Sequence, residues 1–252
     1  MRTIDINCDM GESVGNRRVG NDQEVFPYIT SSNIACGFHG GDPLHMHRTI
    51  ETAIAYQVQI GAHPGFPDLA GFGRRNVELP PDELKAIIKY QLAAICGMAK
   101  SLGTSVKYVK PHGALYNQAS GDEEISKILI TAVREIDPGL LIMGLSGSVF
   151  QEICRSENVS FIAEGFADRS YCADGSLCPR ALPGAVISDP EKASRQVMSM
   201  VLENQVKSIE GEVIPLVVQS ICVHGDNPSA VDILKAIDAS LVTVGVMKKS
   251  FV

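Results

Sequence analysis

The sequence predicts an α/β fold built as a closed or nearly closed parallel barrel. Three observations carry this expectation. Short apolar runs alternate with helical patterns along the chain, which implies parallel strands joined by crossover helices. Most of those runs lack polar–apolar alternation, as strands buried on both faces do. The length of 252 residues is long for one ordinary domain but normal for an α/β barrel. A doubly wound open sheet is the alternative arrangement of the same units.

Strands are expected at 3–7, 32–36, 57–62, 106–110, 140–145, 160–164 and 220–223. The helices between them have readable ends. Asp42-Pro43, Asp189-Pro190 and Asn227-Pro228 each join an N-cap side chain to a proline at the first helical position. The helix over 43–56 is expected to bury Met46, Ile50, Ala53 and Ile54. The helix over 81–102 carries Leu84, Ile87, Ile88, Ile95, Met98 and Leu102 at helical spacing, then stops at Gly103. No linker, repeat or low-complexity tract interrupts this order, so residues 1–252 are expected to form a single (β/α) barrel domain.

Composition narrows the function classes. Hydrophobic residues make up 45%, enough for a sizeable core, and the 20% of charged residues argues against disorder. A net charge of −7 gives no reason to expect a nucleic-acid or anionic-membrane partner, and no apolar run is long enough to cross a bilayer. The seven cysteines are odd in number and form no CxxC, which argues against framework disulfides and a structural zinc site. With no apolar leader in MRTIDINCDM, a reducing, cytoplasmic location is expected.

Polar residues cluster where strands end. His39, His63, His112 and His224 each follow a predicted strand, with Gly or Pro as the next residue. The first strand ends in Asn7, Asp9 and Glu12, and the sixth in Glu164, Asp168 and Arg169. In parallel α/β architectures these positions converge on the face that binds ligands. Any one such histidine would as readily cap or pack a loop; four beside carboxylates are harder to explain that way. His45 and His47 differ. They lie on the helix over 43–56 away from its apolar stripe, and residues two apart on a helix do not share a face, so both are expected at the surface.

Lys110 and His112 (KPHG) share a face at the end of an extended run. A lysine there stabilises developing negative charge or, with a depressed pKa, moves protons. Arg74 and Arg75 (GFGRR) follow a glycine-rich loop and are candidates for gripping a carboxylate or phosphate, with a solvated basic turn the plain alternative. Asp174 and Arg180 sit in YCADGSLCPRALPGAVI, a segment of lid-like length. The chain has no GxxxxGK[ST], no GxGxxG and no GxSxG, so it carries no recognised nucleotide cradle or serine nucleophile.

DINCDMGES, SSNIACGFHGGDP, GAHPGFPDLAGFGRR, YVKPHGALYN, EGFADRSYCADGSLCPR and SICVHGDNPSAV together resemble the LamB/YcsF family, in order, from residue 5 to residue 231. Val14 stands where the family usually has an aromatic and Gly40 where it often has alanine; neither alters a proposed chemical group. The resemblance implies a distorted seven-stranded (β/α) barrel of the glycoside hydrolase/deacetylase type. It implies cleavage of 5-oxo-L-proline to L-glutamate coupled to ATP hydrolysis by a 5-oxoprolinase complex, in which such a chain works with subunits B and C.

In that reaction Asp9 or His63 is expected to act as base, while Lys110 and His112 hold charge or protonate the leaving nitrogen. Asn7, Glu12, His39, Arg74, Glu164, Arg169, Asp174, Arg180 and His224 are expected to bind substrate, with Arg74 or Arg169 on a carboxylate or phosphoryl group. ATP enters through the complex. Asp9, His39 and His63 are candidate ligands for a divalent metal. Two rival readings use the same residues: a stand-alone metal-dependent amide or N-acetyl-sugar hydrolase, and a non-catalytic component that binds a small anion.

Overall fold

Seven parallel strands close on themselves in the computed structural model, which describes residues 2–251. They are β1 (Thr3–Met10), β2 (Ser31–Ala35), β3 (Gln59–His63), β4 (Tyr108–Val109), β5 (Leu141–Leu145), β6 (Phe161–Phe166) and β9 (Ser220–Val223). Each pairs with the next, and β9 returns to β1 in a register running from Asp5 opposite Ser220 to Cys8 opposite Val223. That last pairing decides for a barrel and against an open sheet. The expected strands are these seven, with some ends shifted by one or a few residues. Two short strands, β7 (Gln205–Lys207) and β8 (Val213–Pro215), form an antiparallel hairpin between β6 and β9. A final strand, β10 (Met247–Lys248), pairs with the start of β1.

The helices ring the barrel: α1 (Asp22–Val25), α2 (Pro43–Tyr56), α3 (Pro81–Ser101), α4 (Gly113–Gly121), α5 (Glu123–Ile136), α6 (Val149–Ser156), α7 (Pro190–Met198) and α8 (Ala230–Thr243). Two of the three expected Asp/Asn-Pro caps form. Asp42 accepts from the backbone N–H groups of Leu44 and His45, and Asp189 from that of Lys192. The third does not: α8 begins at Ala230, after Ser229. Asn227 accepts from Ser229 N in a tight turn, while its amide donates to the Asp168 carboxylate at 3.1 Å and to the Ile187 carbonyl. Its side chain is committed to the site. Ile54 also departs from expectation. α2 buries Met46, Thr49, Ile50 and Ala53, whereas Ile54, about 100° further round the helix, is 42% exposed.

The barrel is uneven because β4 is only two residues long. Tyr108 fills the space beside its register partner Gly61, where an added Cβ would lie 2.2 Å from the ring. The Tyr108 hydroxyl donates to Asn33 Oδ1 at 2.6 Å, so this aromatic carries its polar end toward the polar centre of the barrel.

Asp5 is a buried carboxylate that accepts from the hydroxyls of Thr30, Ser31 and Ser220. Burial raises its pKa to about 6, against the lowering effect of those donors. A carboxyl whose folded pKa lies above its unfolded value binds its proton more tightly in the folded state. Its contribution is therefore most favourable below about pH 4 and is lost as pH rises through about 6. Relative to Asp5→Asn, the protein should lose about 2.4 kcal/mol of unfolding free energy between roughly pH 4 and pH 7. Urea unfolding of both proteins at the two pH values checks this; a difference that does not change with pH would contradict it.

Candidate active site

The C-terminal ends of the strands open into a cleft of about 540 Å³. Asp9, His63, Lys110, His112, Phe166 and His224 lie at its base, with Arg74, Arg169 and Arg180 on its walls. Three groups of side chains build it.

The first surrounds Lys110, which is 2% exposed. Its ammonium reaches Glu164 Oε1 at 2.8 Å, Asp9 Oδ1 at 3.0 Å, Cys222 Sγ at 3.1 Å and Asn7 Oδ1 at 3.2 Å. These partners come from β6, β1 and β9. Neighbouring groups complete the acceptors: Asn33 donates to Asp9 and Asn7, Asn7 to Glu164, and the Tyr116 hydroxyl to Glu164 Oε2 at 2.7 Å. Burial opposes the charge on Lys110, but Asp9 and Glu164 outweigh it and hold its pKa well above the ordinary lysine value. Burial likewise opposes the charge on Asp9, and His63 and Lys110 outweigh it, so its pKa lies well below the carboxylate range. Lys110 is a fixed cation and Asp9 a fixed anion. Of the two roles open to Lys110 in the sequence, charge stabilisation is the one this pairing favours.

The second group contains His39, His63, His112 and Glu12. His63 Nδ1 donates to the Lys110 carbonyl at 2.7 Å, and His112 Nε2 donates to the Phe72 carbonyl at 2.8 Å. The remaining nitrogens, His63 Nε2 and His112 Nδ1, face each other at 2.9 Å. Glu12 Oε1 lies 3.3 Å from His39 Nε2 and 3.5 Å from His112 Nδ1. His39 stacks flat on His112, with ring centroids 3.7 Å apart. Gly73 makes this stack fit. Its φ is +62°, and a Cβ there would meet His39 Cβ at 2.7 Å and His112 Cδ2 at 2.8 Å. Burial pushes the His39 and His112 imidazoles well below the usual histidine pKa, and pushes the Glu12 carboxyl well above its own. Three imidazoles and a carboxylate with ligand atoms within 4.8 Å of one another are a donor set suited to a metal ion.

The third group pairs an acid with a base beside a set of cations. His224 Nδ1 donates to Asp168 Oδ1 at 2.8 Å, and Asp168 Oδ2 takes the Asn227 amide and the His224 backbone N–H. Burial opposes the charge on Asp168, but His224 and Asn227 keep its pKa below the usual value. Phe166 stacks on the His224 ring. With Nδ1–H held by Asp168, the lone pair of neutral His224 is on Nε2. Arg169 donates to the Cys178 carbonyl; burial and then Arg180 push its pKa down to about 10. Arg74 pairs with Asp226 and covers the Phe72 ring. Three guanidiniums around one cleft favour an anionic ligand.

Not every residue singled out by the sequence lines the cleft. Asp174 is exposed in a turn, where it accepts from Ser176 N and Oγ. Arg75 pairs with Asp68 on the surface. His45 and His47 are part-exposed on α2 and pair with Asp42 and Glu51 of their own neighbourhood. Of the three metal-ligand candidates, Asp9 lies 3.4 Å from His63 and 3.0 Å from Lys110, while His39 and His63 group with Glu12 and His112. Sequence reasoning passes over Asn33, Tyr116, Cys222 and Asn227. Asn33 and Cys222 carry a signal, a polar or sulfur-bearing residue on the inward register of an apolar strand. Tyr116 lies one helical turn beyond His112.

The fold and the cleft define an α/β-barrel protein with an acid–base pair, a buried ammonium and an anion-binding wall at the C-terminal face of its strands. The chain belongs to the LamB/YcsF family, whose model matches residues 4–252. It is 47% identical over 246 residues to the 5-oxoprolinase A subunit of Geobacillus thermodenitrificans, covering 98% of this chain and 96% of that one. It is 46% identical over 248 residues to the 5-oxoprolinase A subunit of Acinetobacter baylyi, covering 98% of each. The crystal structure of a lactam utilization protein from Thermus thermophilus superimposes with a TM-score of 0.93 at 40% identity, over 99% of this chain and 100% of that one. A family 4 carbohydrate esterase from Streptomyces lividans, at 9% identity and a TM-score of 0.55 over 100% of this chain and 93% of that one, shares the fold.

Replacing Lys110 removes a cation that two buried carboxylates require. Lys110→Met should cost about 3–5 kcal/mol of stability by leaving Asp9 and Glu164 uncompensated. Chemical denaturation measures the loss; a variant as stable as the parent would show that the ammonium is not what keeps these acids inside.

Proposed function

We propose that this chain is the lactam-opening component of an ATP-dependent 5-oxoprolinase that converts 5-oxo-L-proline to L-glutamate together with B and C subunits. The observation that carries this reading is the placement of the Asp168–His224 pair, the Lys110 ammonium and three guanidiniums around one cleft. The names of its relatives, a lactam utilization protein and several 5-oxoprolinase components, support the same substrate class. Absence of a P-loop and of GxGxxG fits delivery of ATP chemistry by the partners. Seven unpaired cysteines fit a cytoplasmic setting.

The residues divide the work. A lactam carbonyl resists water until its oxygen is phosphorylated, a step assigned to the partner subunits. His224 Nε2 then takes a proton from the attacking water, with Asp168 fixing the tautomer and balancing the imidazolium. Water's oxygen bonds to the ring carbon, and negative charge develops within reach of Lys110. The C–N bond breaks as the proton held by His224 passes to the leaving nitrogen, which leaves γ-glutamyl phosphate; a second water then displaces inorganic phosphate from that acyl phosphate and completes glutamate. Arg74, Arg169 and Arg180 hold the substrate carboxylate and the phosphoryl group. This assignment moves the base from Asp9 or His63 to His224. Asp9 is paired with both Lys110 and His63, and the second His63 nitrogen lies 2.9 Å from His112 Nδ1 and 3.4 Å from Asp9 Oδ1, so neither is left without a partner.

Purified chain mixed with B and C subunits, 5-oxoproline and ATP should release glutamate, and omission of this chain should abolish it. Undiminished glutamate without the chain would overturn the reading, and ATP-independent amide cleavage by the chain alone would favour a stand-alone hydrolase. His224→Ala should lower turnover by about 10²–10⁴-fold. Asp168→Asn should do comparable damage, because an amide donor at His224 Nδ1 forces the proton onto Nε2. Full activity in both variants would remove His224 from the mechanism.

A further inference from the structure

We propose that Glu12, His63 and His112 form a binding site for one divalent transition metal ion of the zinc, cobalt or manganese type. His63 commits Nδ1–H to the Lys110 carbonyl, and His112 commits Nε2–H to the Phe72 carbonyl. In neutral imidazoles the facing nitrogens, 2.9 Å apart, are then both lone pairs. Two lone pairs at that distance repel unless a cation lies with them. Histidines that ligate metals are oriented in this way, with the second ring nitrogen donating to a carbonyl.

The surroundings extend the need. Glu12 Oε1 and both ring nitrogens of His39 are buried with no hydrogen-bond partner. His63 Nε2 also lies 3.4 Å from Asp9 Oδ1, so a single proton there would be shared between His112 and Asp9 and would still leave Glu12 Oε1 without a donor. A metal ion satisfies all three residues at once. With bonds of about 2.0–2.1 Å, ligand atoms stand about 2.9 Å apart at a right angle and about 3.3 Å apart at a tetrahedral angle. The separations of 2.9 Å for His63–His112 and 3.5 Å for His112–Glu12 lie close to that range. His39 stacks on the His112 face and brings Nε2 to 3.3 Å from Glu12 Oε1.

Two imidazoles and one carboxylate favour borderline ions over calcium or magnesium, and three protein ligands leave positions open for water or substrate. The second acid–thiol–imidazole grouping, Asp9, Cys222 and His224, is a poorer candidate. Lys110 already supplies the cation there, donating to both Asp9 and Cys222.

The test needs no turnover, so its outcome is independent of the substrate. Protein stripped by chelation and desalted is titrated with cobalt(II). The expected result is one equivalent bound, with visible d–d absorption of a low-coordinate nitrogen–oxygen site. Glu12→Gln and His112→Ala should each weaken binding by more than about 100-fold, beyond the usual effect of an outer-shell change. His47→Ala, on the surface of α2, should leave it unchanged. Far-UV circular dichroism checks that the variants fold. Should either fail to fold, anomalous scattering from cobalt-soaked crystals of the unaltered protein decides. Signal between Glu12, His63 and His112 supports the site. No stoichiometric binding, signal elsewhere, or unchanged affinity in both folded variants overturns it.

Discussion

One ammonium group, buried where the strands end, sets the terms for everything around it. Lys110 projects from the end of β4 into a space lined by β1, β6 and β9, and its Nζ is met there by two carboxylates, an amide oxygen and a sulfur. A charge out of water is tolerable only if paired and hydrogen-bonded. That requirement explains why inward positions of otherwise apolar strands carry Asn7, Asp9, Asn33 and Glu164. It also explains why Tyr108 and Tyr116 enter the barrel hydroxyl first.

The same pairing sorts the titratable groups by role. An acid locked to cations is a weak proton acceptor, so Asp9 serves as scaffolding and as field. A histidine backed by a carboxylate and open to the cleft on its other side is the better proton carrier, and His224 has that arrangement. Of the guanidiniums that line the cleft, Arg74 is paired with Asp226, and no ion pair is found for Arg169 or Arg180 among the described residues. Each region of the cleft thus has its own chemistry, set by which counter-charges the backbone delivers to it.

Much of this is legible in the sequence. Every barrel strand is marked by an apolar run, and the α2 and α7 starts by Asp-Pro. The gathering of His63, Lys110, His112 and His224 at one face follows from strand–helix alternation alone. What escapes depends on contacts between distant segments. Asn227 reads as a helix cap until Asp168, brought close by the β6–β9 pairing, takes its amide. Asp174 reads as a member of the site until the chain around it folds into a turn facing solvent. Ion-pair partners among several acids at strand ends are fixed by register and barrel stagger, which local patterns do not encode. For that reason the partners of Asp9 and Glu12 emerge only in the folded chain.

The segment between β6 and α7 has the length of a lid but the fastenings of a wall. Gln196 ties the carbonyls of Phe166 and Arg169, Tyr171 bridges to Ser208 beside the hairpin, and Cys178 N bonds back to Ser170. Arg169, which donates to the Cys178 carbonyl, is therefore in position before any ligand arrives, and little ordering entropy is due there on binding. Capture then depends on attraction at short range. At physiological ionic strength the field of the cleft guanidiniums fades over about 8 Å. The cleft thus acts as an electrostatic trap at its mouth, and added salt should slow loading of an anionic ligand far more than it slows the bond-breaking that follows.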